Sequence, residues 1–270
     1  MPSFTSPTRG AGRPSVEDGR STDRRPTPSD GVTLAVAYVA ISATLIGAGL
    51  LLTHLLHPVL LWDDHVNSWF ASHRTSGWNR LTSDGSFVAD TLGIVVVATV
   101  ATLIGLLRRW GLTAGLVACG LAVELAAFAT VNYVVARPRP VAPHLGATPS
   151  THSFPSGHVA ATLVLYGGIA VLVTSRTRAV WARVPAWIAA GVLVGWVGFS
   201  TVYEAEHHPT DVVAGAVLGV GALGAAVLAV RPQPPTERPT DLAGPAPPGA
   251  GPPWPAAAAP SREPATWPRR

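Results

Sequence analysis

Lysine is absent from this chain of 270 residues, and all 19 of its basic residues are arginine. Charged residues of both signs make up 13% of the sequence, about half of the proportion that soluble globular domains carry. Hydrophobic residues reach 48%, so the chain is not disordered throughout, and an ordinary soluble enzyme is not expected. The sequence has no clustered basic surface with interleaved aromatic residues, which argues against a nucleic-acid partner.

Cysteine occurs once, at Cys119 within an apolar run, so a disulfide within the chain is impossible. Histidine is more frequent, but the histidines between positions 54 and 73 have no partners at the spacing of a metal site. The sequence therefore predicts a protein that needs neither a bound metal nor another cofactor.

The charges that are present concentrate near the two ends of the chain. Residues 1–31 are rich in Ser, Thr, Pro and Arg, and residues 231–270 carry many prolines. Both segments have too few large apolar side chains to offset the entropy of folding, which predicts two disordered tails. Residues 32–230 lie between them and are predicted to form a membrane domain.

Six long apolar runs divide this domain, and each is close to the roughly 20 residues that cross the hydrocarbon core of a bilayer as a helix. They lie at about 32–56, 87–107, 112–135, 157–174, 184–203 and 210–230. The predicted fold class is therefore all-α, a polytopic bundle of six transmembrane helices. Between the first two runs, residues 57–86 alternate large apolar side chains with Asp, His and Asn, which predicts a short helix in the membrane interface.

The placement of arginine predicts how the bundle is oriented. If the N-terminus is cytoplasmic, most arginines fall on the cytoplasmic side, including those in the short connections at 108–111 and 175–183. This is the asymmetry that the positive-inside rule describes. Both termini are thus expected in the cytoplasm of a multi-pass cell-membrane protein, and the connections after the first, third and fifth runs are expected to face outwards.

Two of these outward connections hold most of the unusual polar residues. One contains Arg137 and Arg139 and ends in Ser-Phe-Pro-Ser-Gly-His at 153–158, and the other carries Glu-Ala-Glu-His-His-Pro-Thr-Asp at 204–211. Guanidinium groups bind phosphate oxygens through planar, charged hydrogen bonds. A tight turn before a helix leaves backbone N–H groups free for an anion. The sequence therefore predicts an anion site at the outer ends of the helices.

Histidines near this site can supply the chemistry. His207 and Asp211 are four positions apart, the spacing of one helical turn, so the carboxylate is expected to orient the imidazole. His158 is a second group for proton transfer. A nucleophilic histidine, a second histidine acting as acid and base, and a cationic cradle together predict phosphoryl transfer without a metal.

These motifs resemble those of the type 2 phosphatidic acid phosphatase (PAP2) superfamily of membrane phosphatases. The similarity rests on Arg-Pro-Arg-Pro at 137–140, Pro-Ser-Gly-His within 153–158, and a run of Ser, Tyr, His-His-Pro-Thr and Asp over 200–211. The family patterns are Lys-x6-Arg-Pro, Pro-Ser-Gly-His and Ser-Arg-x5-His-x3-Asp. The resemblance covers residues 32–230 and implies a six-helix bundle with its active site at the outer face.

The resemblance also implies a role for each matching residue. It implies that His207 is the nucleophile that forms a phosphohistidine and that Asp211 is its orienting partner. His158 would protonate the leaving oxygen and later help to activate water. The residues implied to hold the phosphate are Arg139, Ser156, Gly157 and, more weakly, Arg137.

Two positions depart from the family patterns. Asn132 stands where the first motif has lysine, and Thr201, beside Ser200, stands where the third has arginine. Losing one charge-assisted hydrogen bond weakens binding roughly 10- to 150-fold, although these polar side chains can still support the site with neutral hydrogen bonds. Glu204 and Glu206 add negative charge next to the expected nucleophile.

Glu124 lies in the middle of the third apolar run. A carboxylate within the hydrocarbon core is costly and is a functional candidate by default. Two interpretations stay open: Glu124 supports the arginines of the site from behind, or it is a protonated or paired structural residue facing the bundle interior.

The sequence thus predicts an integral-membrane phosphatase that hydrolyses a lipid phosphate or pyrophosphate at the outer face. The resemblance implies phosphatidic acid, phosphatidylglycerol phosphate or undecaprenyl pyrophosphate as candidate substrates. An alternative is a weakened or inactive relative that binds a lipid phosphate or a partner protein. A vanadate-dependent haloperoxidase, which shares the anion site of the superfamily, is a third possibility, but the six spans and the missing cations oppose it.

Overall fold

A computed structural model describes residues 27–86, 91–107, 115–146, 150–177 and 179–230, and the regular structure within these ranges is helical. The predicted all-α fold class is therefore confirmed. The described residues form eight helices: α1 (Pro28–Leu55), α2 (His57–Ser72), α3 (Ser76–Ser86), α4 (Thr91–Leu107), α5 (Leu116–Val135), α6 (Gly157–Arg176), α7 (Val180–Tyr203) and α8 (Pro209–Val230). Both tails lie outside the described residues, except for 27–31.

Five of these helices, α1, α5, α6, α7 and α8, are long and apolar enough to cross a membrane. The other predicted span corresponds to α4, an apolar helix whose described part has 17 residues and begins at Thr91. The chain is thus a multi-pass membrane protein, with five full-length candidate spans and one shorter apolar helix within the described ranges.

The first helix begins four residues earlier than predicted, inside the segment assigned to the N-terminal tail. Pro28 occupies its first turn, where the missing N–H costs nothing and the fixed φ angle favours a helix. The carboxylate of Asp30 also accepts a hydrogen bond from the N–H of Thr27, at 2.7 Å. Together these residues start the helix before the long apolar run.

Helix α6 lies at the centre of the bundle and packs against α5, α7 and α8, while α1 packs against α5 and α8. The contact between α6 and α8 depends on Gly215, because a Cβ atom there would collide with the backbone carbonyl of Ser156. This close approach brings the beginning of α8 against the turn that precedes α6. Two of the predicted site segments therefore meet at one end of the bundle.

The segment at 57–86 forms two helices, α2 and α3, instead of the single interfacial helix that the sequence predicted. Aromatic contacts attach both helices to α7: the rings of Phe70 and Phe199 lie 5.7 Å apart, and those of Trp78 and Phe199 lie 5.6 Å apart. Trp62 and Trp69 stay exposed, as an interfacial position requires. Two polar residues of this segment, Asp63 and Asn67, are nevertheless buried.

Candidate active site

The connection between α5 and α6 is folded back over the end of the bundle. It begins at Ala136, which adopts a left-handed conformation with φ 47°, a strained state for a residue with a side chain. Asn132, in the last turn of α5, then holds the returning segment: its amide donates to the carbonyls of His152 and Phe154, at 2.8 and 3.0 Å. Its side-chain oxygen accepts from the N–H of His152.

These contacts revise the expectation for Asn132. Both N–H groups of its amide are used on the backbone, so the residue is not available as a substitute for a cationic phosphate ligand. It instead fixes the Ser-Phe-Pro-Ser-Gly-His segment that carries two of the predicted site residues.

Helix α6 begins at that segment, and Ser156 is its N-terminal cap. The buried hydroxyl of Ser156 accepts the N–H of Val159 at 3.4 Å, and its own N–H donates to the carbonyl of Asp211 at 3.0 Å. Gly157 is the first residue of the helix, and Phe128 packs so closely that a Cβ atom would lie 3.0 Å from its ring. The helix start therefore presents N–H groups where an anion is favoured.

His207 lies in the connection between α7 and α8 and is only 2% exposed. Its Nδ1 atom is 2.7 Å from the carbonyl oxygen of Ser153. A carbonyl only accepts, so Nδ1 carries the proton and Nε2 of the neutral ring keeps its lone pair. Among the described residues, no hydrogen-bond partner engages Nε2. The ring of His158, at the start of α6, lies 6.3 Å away between centroids.

Burial keeps the His207 ring neutral. It lowers the pKa of His207 to about 3, against an opposing effect of the Asp211 carboxylate, and the nearby positive charge of Arg139 lowers it further. A neutral imidazole with a free Nε2 is the form that a nucleophilic histidine requires.

Asp211 does not contact His207 as closely as the sequence predicted. Its Oδ2 atom lies 4.0 Å from Nδ1 of His207, whereas the N–H and Nδ1 of His208 lie 2.8 and 3.0 Å from the same oxygen. The hydroxyl of Ser153 also donates to it. The reason is local, because Asp211 caps the first turn of α8, where the N–H of His208 is a nearer donor. Asp211 thus faces His207 as a neighbouring charge and not as a hydrogen-bond acceptor.

Arg137 and Arg139, although only two positions apart, have different environments. Arg137 is buried, and its guanidinium donates to the carboxylates of Asp63 and Asp211 at 2.7 and 2.6 Å. Both of its terminal nitrogens are therefore paired inside the protein. The structure thus does not support the expectation that Arg137 binds phosphate.

Arg139 is held by neutral oxygens instead: the carbonyls of Thr151 and Glu206, at 2.9 and 2.6 Å, and the hydroxyl of Thr151, at 3.0 Å. No carboxylate of the described residues forms an ion pair with it. Burial lowers the pKa of Arg139, and the more distant charges of Glu206 and Asp211 oppose this effect. Burial also raises the pKa of Glu206, and the charge of Arg139 opposes this effect.

The remaining predicted residues lie inside the helices. The hydroxyl of Thr201 donates to the carbonyl of Gly198 in its own helix, at 3.2 Å, and Ser200 is fully buried. Glu124 is 4% exposed on the interior side of α5, and no hydrogen bond joins it to Arg137 or Arg139. Its position favours the interpretation of a structural residue in the bundle interior.

Several residues of the site were missed by the sequence interpretation. They are Asp63 and Asn67 on α2, Ser153 before α6, and His208 and Thr210 before and within α8. The i, i+4 spacing of Asp63 and Asn67 was a usable signal, because it places both on one side of a helix. Within the described ranges, no cluster of three or more His, Cys, Asp or Glu side chains is arranged to hold a metal ion.

The fold and the site define a multi-pass helical membrane protein with His158, His207, the N-terminus of a helix, and Arg139, which has no carboxylate partner among the described residues, at one end of its bundle. The family model of the PAP2 superfamily matches residues 109–234, which contain all of these groups. Over this segment, somewhat less than half of the chain, the sequence is similar to the PAP2 superfamily.

A solved structure supports the same fold. The chain is similar to the crystal structure of the first transmembrane PAP2 type phosphatidylglycerolphosphate phosphatase from Bacillus subtilis, with a TM-score of 0.60 and 20% sequence identity. The similarity covers 73% of this chain and 94% of that one. No curated protein matches the sequence.

Proposed function

We propose that this protein is a membrane phosphatase that hydrolyses a lipid phosphate or pyrophosphate through a phosphohistidine on His207. The observation that carries the proposal is the state of the His207 ring, which is buried and neutral, with Nδ1 bound to the Ser153 carbonyl and Nε2 without a partner among the described residues. The second histidine of the site, His158, is close enough for one phosphoryl group to contact both rings. The similarity to the PAP2 superfamily over residues 109–234, and to the fold of a PAP2 type phosphatidylglycerolphosphate phosphatase, agrees with this activity.

In the first step, the lone pair of Nε2 attacks phosphorus and the bond from phosphorus to the lipid oxygen breaks. His158, as an imidazolium, gives its proton to that oxygen. A lipid monophosphate therefore leaves as a neutral alcohol, and a lipid pyrophosphate leaves as the lipid monophosphate. Arg139 and the N-terminus of α6 stabilise the charge on the phosphoryl oxygens.

The phosphorylated ring keeps its proton on Nδ1 and is positively charged. The carbonyl of Ser153 and the carboxylate of Asp211, 4.0 Å from Nδ1, both stabilise this charge. In the second step, His158 takes a proton from a water molecule that attacks phosphorus. The bond to Nε2 breaks, inorganic phosphate leaves, and His207 returns to its neutral state.

The membrane-embedded bundle favours a substrate whose acyl or prenyl chain enters from the bilayer. Phosphatidic acid, phosphatidylglycerol phosphate and undecaprenyl pyrophosphate remain the candidates, and we propose that the site faces away from the cytoplasm with both termini inside. A reporter fused to each terminus tests this orientation, and an externally located terminus would contradict it.

The test of activity is phosphate release by the purified protein in detergent, with each of the three lipids as substrate. His207→Ala is expected to reduce release to background, whereas His54→Ala, a change of the same type at an exposed residue on α1, is expected to leave it unchanged. Activity is also expected to persist in EDTA. Equal rates in the wild-type protein and His207→Ala would contradict the phosphohistidine, and loss of activity in EDTA would contradict metal independence.

A specific observation favours a second candidate function, a non-catalytic protein that binds lipid phosphate. The polar groups of Asn132 and Thr201 are used on backbone carbonyls, which leaves Arg139 as the main cation for the phosphate. Binding of phosphatidic acid vesicles without phosphate release, weakened by Arg139→Gln but not by His207→Ala, would support this alternative.

A further inference from the structure

Helix α2 carries two buried polar residues on the side that faces the site. Asp63 and Asn67 are 0% and 1% exposed, whereas the adjacent Asp64 is 54% exposed. Buried polar groups of this kind are expected to have hydrogen-bond partners. The partners of both residues belong to the segments that form the candidate active site.

Asp63 is connected to Asp211 through an arginine. The Asp63 carboxylate accepts from Nη2 of Arg137 at 2.7 Å and from the N–H of Thr210 at 3.2 Å; the Thr210 hydroxyl also donates to it. The other terminal nitrogen of Arg137 donates to Oδ1 of Asp211 at 2.6 Å. One guanidinium thus joins two buried carboxylates, and neither can rotate without breaking a charged hydrogen bond.

Asn67 holds the connection that carries His207. Its amide nitrogen donates to the carbonyl of Val202 at 3.0 Å and to the carbonyl of His207 itself at 3.1 Å. The first lies in the last turn of α7 and the second just before α8. One side chain therefore spans the turn between these helices and fixes the backbone of His207.

We propose that Asp63 and Asn67 are positioning residues of the active site, through which α2 orients Asp211 and the His207 ring. This proposal rests on the proposed function of His207. Asp63 acts through Arg137 on Asp211, whose other oxygen is bound by Ser153, the residue whose carbonyl receives Nδ1 of His207. Asn67 acts directly on the His207 backbone. Neither residue contacts Arg139, although Asn67 holds the residue next to Glu206, whose carbonyl accepts from Arg139.

Substitution of either residue is expected to lower kcat, and substitution of Asp63 is expected to change kcat much more than KM. Asp63→Asn keeps the shape of the side chain but removes the charge that faces Arg137, and Asn67→Ala removes both hydrogen bonds to the His207 connection. Small displacements of a catalytic group cost up to about 100-fold in rate, so each variant is expected to lower kcat roughly 10- to 100-fold. For Asp63→Asn the KM is expected to change by less than about threefold, since the contacts of Arg139 are retained.

A matched control distinguishes a positioning role of Asp63 and Asn67 from simple attachment of α2 to the bundle. Phe70 docks the same helix on α7 through its contacts with the rings of Phe199 and Tyr203. Phe70→Leu is expected to lower the melting temperature while kcat stays within about twofold of wild type. If Phe70→Leu lowers kcat as much as Asp63→Asn at a similar loss of stability, the two polar residues only attach the helix, and the proposal is wrong.

A double-mutant cycle tests the route through Arg137. If Asp63 acts through Arg137, kcat of the Asp63→Asn/Arg137→Gln double variant is expected to equal that of Arg137→Gln alone. Independent, multiplicative losses would overturn this route.

The orientation of His207 can also be measured without turnover. In protein labelled with ¹⁵N-histidine, the His207 ring of the wild type is expected as the Nδ1–H tautomer, and both variants are expected to give a mixture of tautomers. An unchanged tautomer in both variants would overturn the proposal, even if the protein hydrolyses none of the tested lipids. The activity of His207→Ala, in contrast, tests the proposed function and not the positioning role of Asp63 and Asn67.

Discussion

The burial of His207 makes the stability of this protein dependent on pH in a defined direction. In the unfolded chain the ring titrates near pH 6.5, whereas in the folded protein burial lowers the pKa of His207 to about 3. Between these values the unfolded chain binds a proton that the folded protein excludes. The contribution of the neutral His207 ring to stability is therefore complete above about pH 6.5 and is lost progressively as the pH decreases towards 3.

The magnitude follows from the two pKa values. On going from pH 7.5 to pH 5.5, exclusion of one proton costs about 1.4 kcal/mol of unfolding free energy. For a protein of this size that corresponds to roughly 3–6 °C in melting temperature. Because the ring is buried, solvent does not screen this effect.

The assay compares thermal unfolding of the wild-type protein and of His207→Asn in detergent at pH 7.5 and pH 5.5. Asparagine keeps an N–H donor for the Ser153 carbonyl but does not titrate, so it lacks this part of the pH dependence. Other acidic and basic groups contribute equally to both proteins and cancel in the difference. Equal pH dependence in the two proteins would refute the neutral, buried state of His207 and with it the basis of the proposed nucleophile.

Three further predictions concern the surroundings of His207. Arg139→Gln is expected to lower kcat/KM for phosphate release roughly 10- to 150-fold through loss of a charge-assisted hydrogen bond. The same change at the exposed Arg80 is expected to keep kcat/KM within about twofold of wild type. Similar values for both variants would show that Arg139 does not bind the phosphate. Asn132→Ala frees the 152–154 segment and is expected to reduce stability by about 1–3 kcal/mol together with activity, measured by thermal unfolding and phosphate release; an unaltered melting temperature would contradict this role. Gly215→Ala is expected to destabilise the protein by about 1–3 kcal/mol because its Cβ atom collides with Ser156, whereas Gly224→Ala, with open space around it, is not; equal melting temperatures would argue against the close approach of α6 and α8.

The bundle could be predicted from the sequence because hydropathy alone determines where helices of membrane length form. Each of the six apolar runs corresponds to a helix, and the two motif-bearing connections do meet. The exact bounds of the helices could not be predicted, because they depend on single residues that contribute little to the hydropathy of a segment. Pro28 and Asp30 start α1 early, and residues 57–86 form two helices where one was expected.

The polar contacts of the site could be predicted only in part, because spacing along the chain does not specify which partner is nearest in space. The four-residue separation of His207 and Asp211 predicted a hydrogen bond, but the N–H of His208 reaches the Asp211 carboxylate first. The role of Asp63 required contacts with Arg137 and Thr210, which lie 74 and 147 positions away in the sequence. No local pattern contains that information.

The two arginines of the first motif show how partners inside the protein decide which cation is available to a substrate. Arg137 and Arg139 have the same chemistry and nearly the same place in the sequence. Asp63 and Asp211 neutralise Arg137, whereas Arg139 is held by carbonyl and hydroxyl oxygens that leave its charge uncompensated at close range. An anion arriving at the site therefore gains more from Arg139, because it does not have to displace a carboxylate. By pairing with Arg137, α2 leaves Arg139, near His207, as the arginine of this motif that the proposed phosphate would meet without a carboxylate partner.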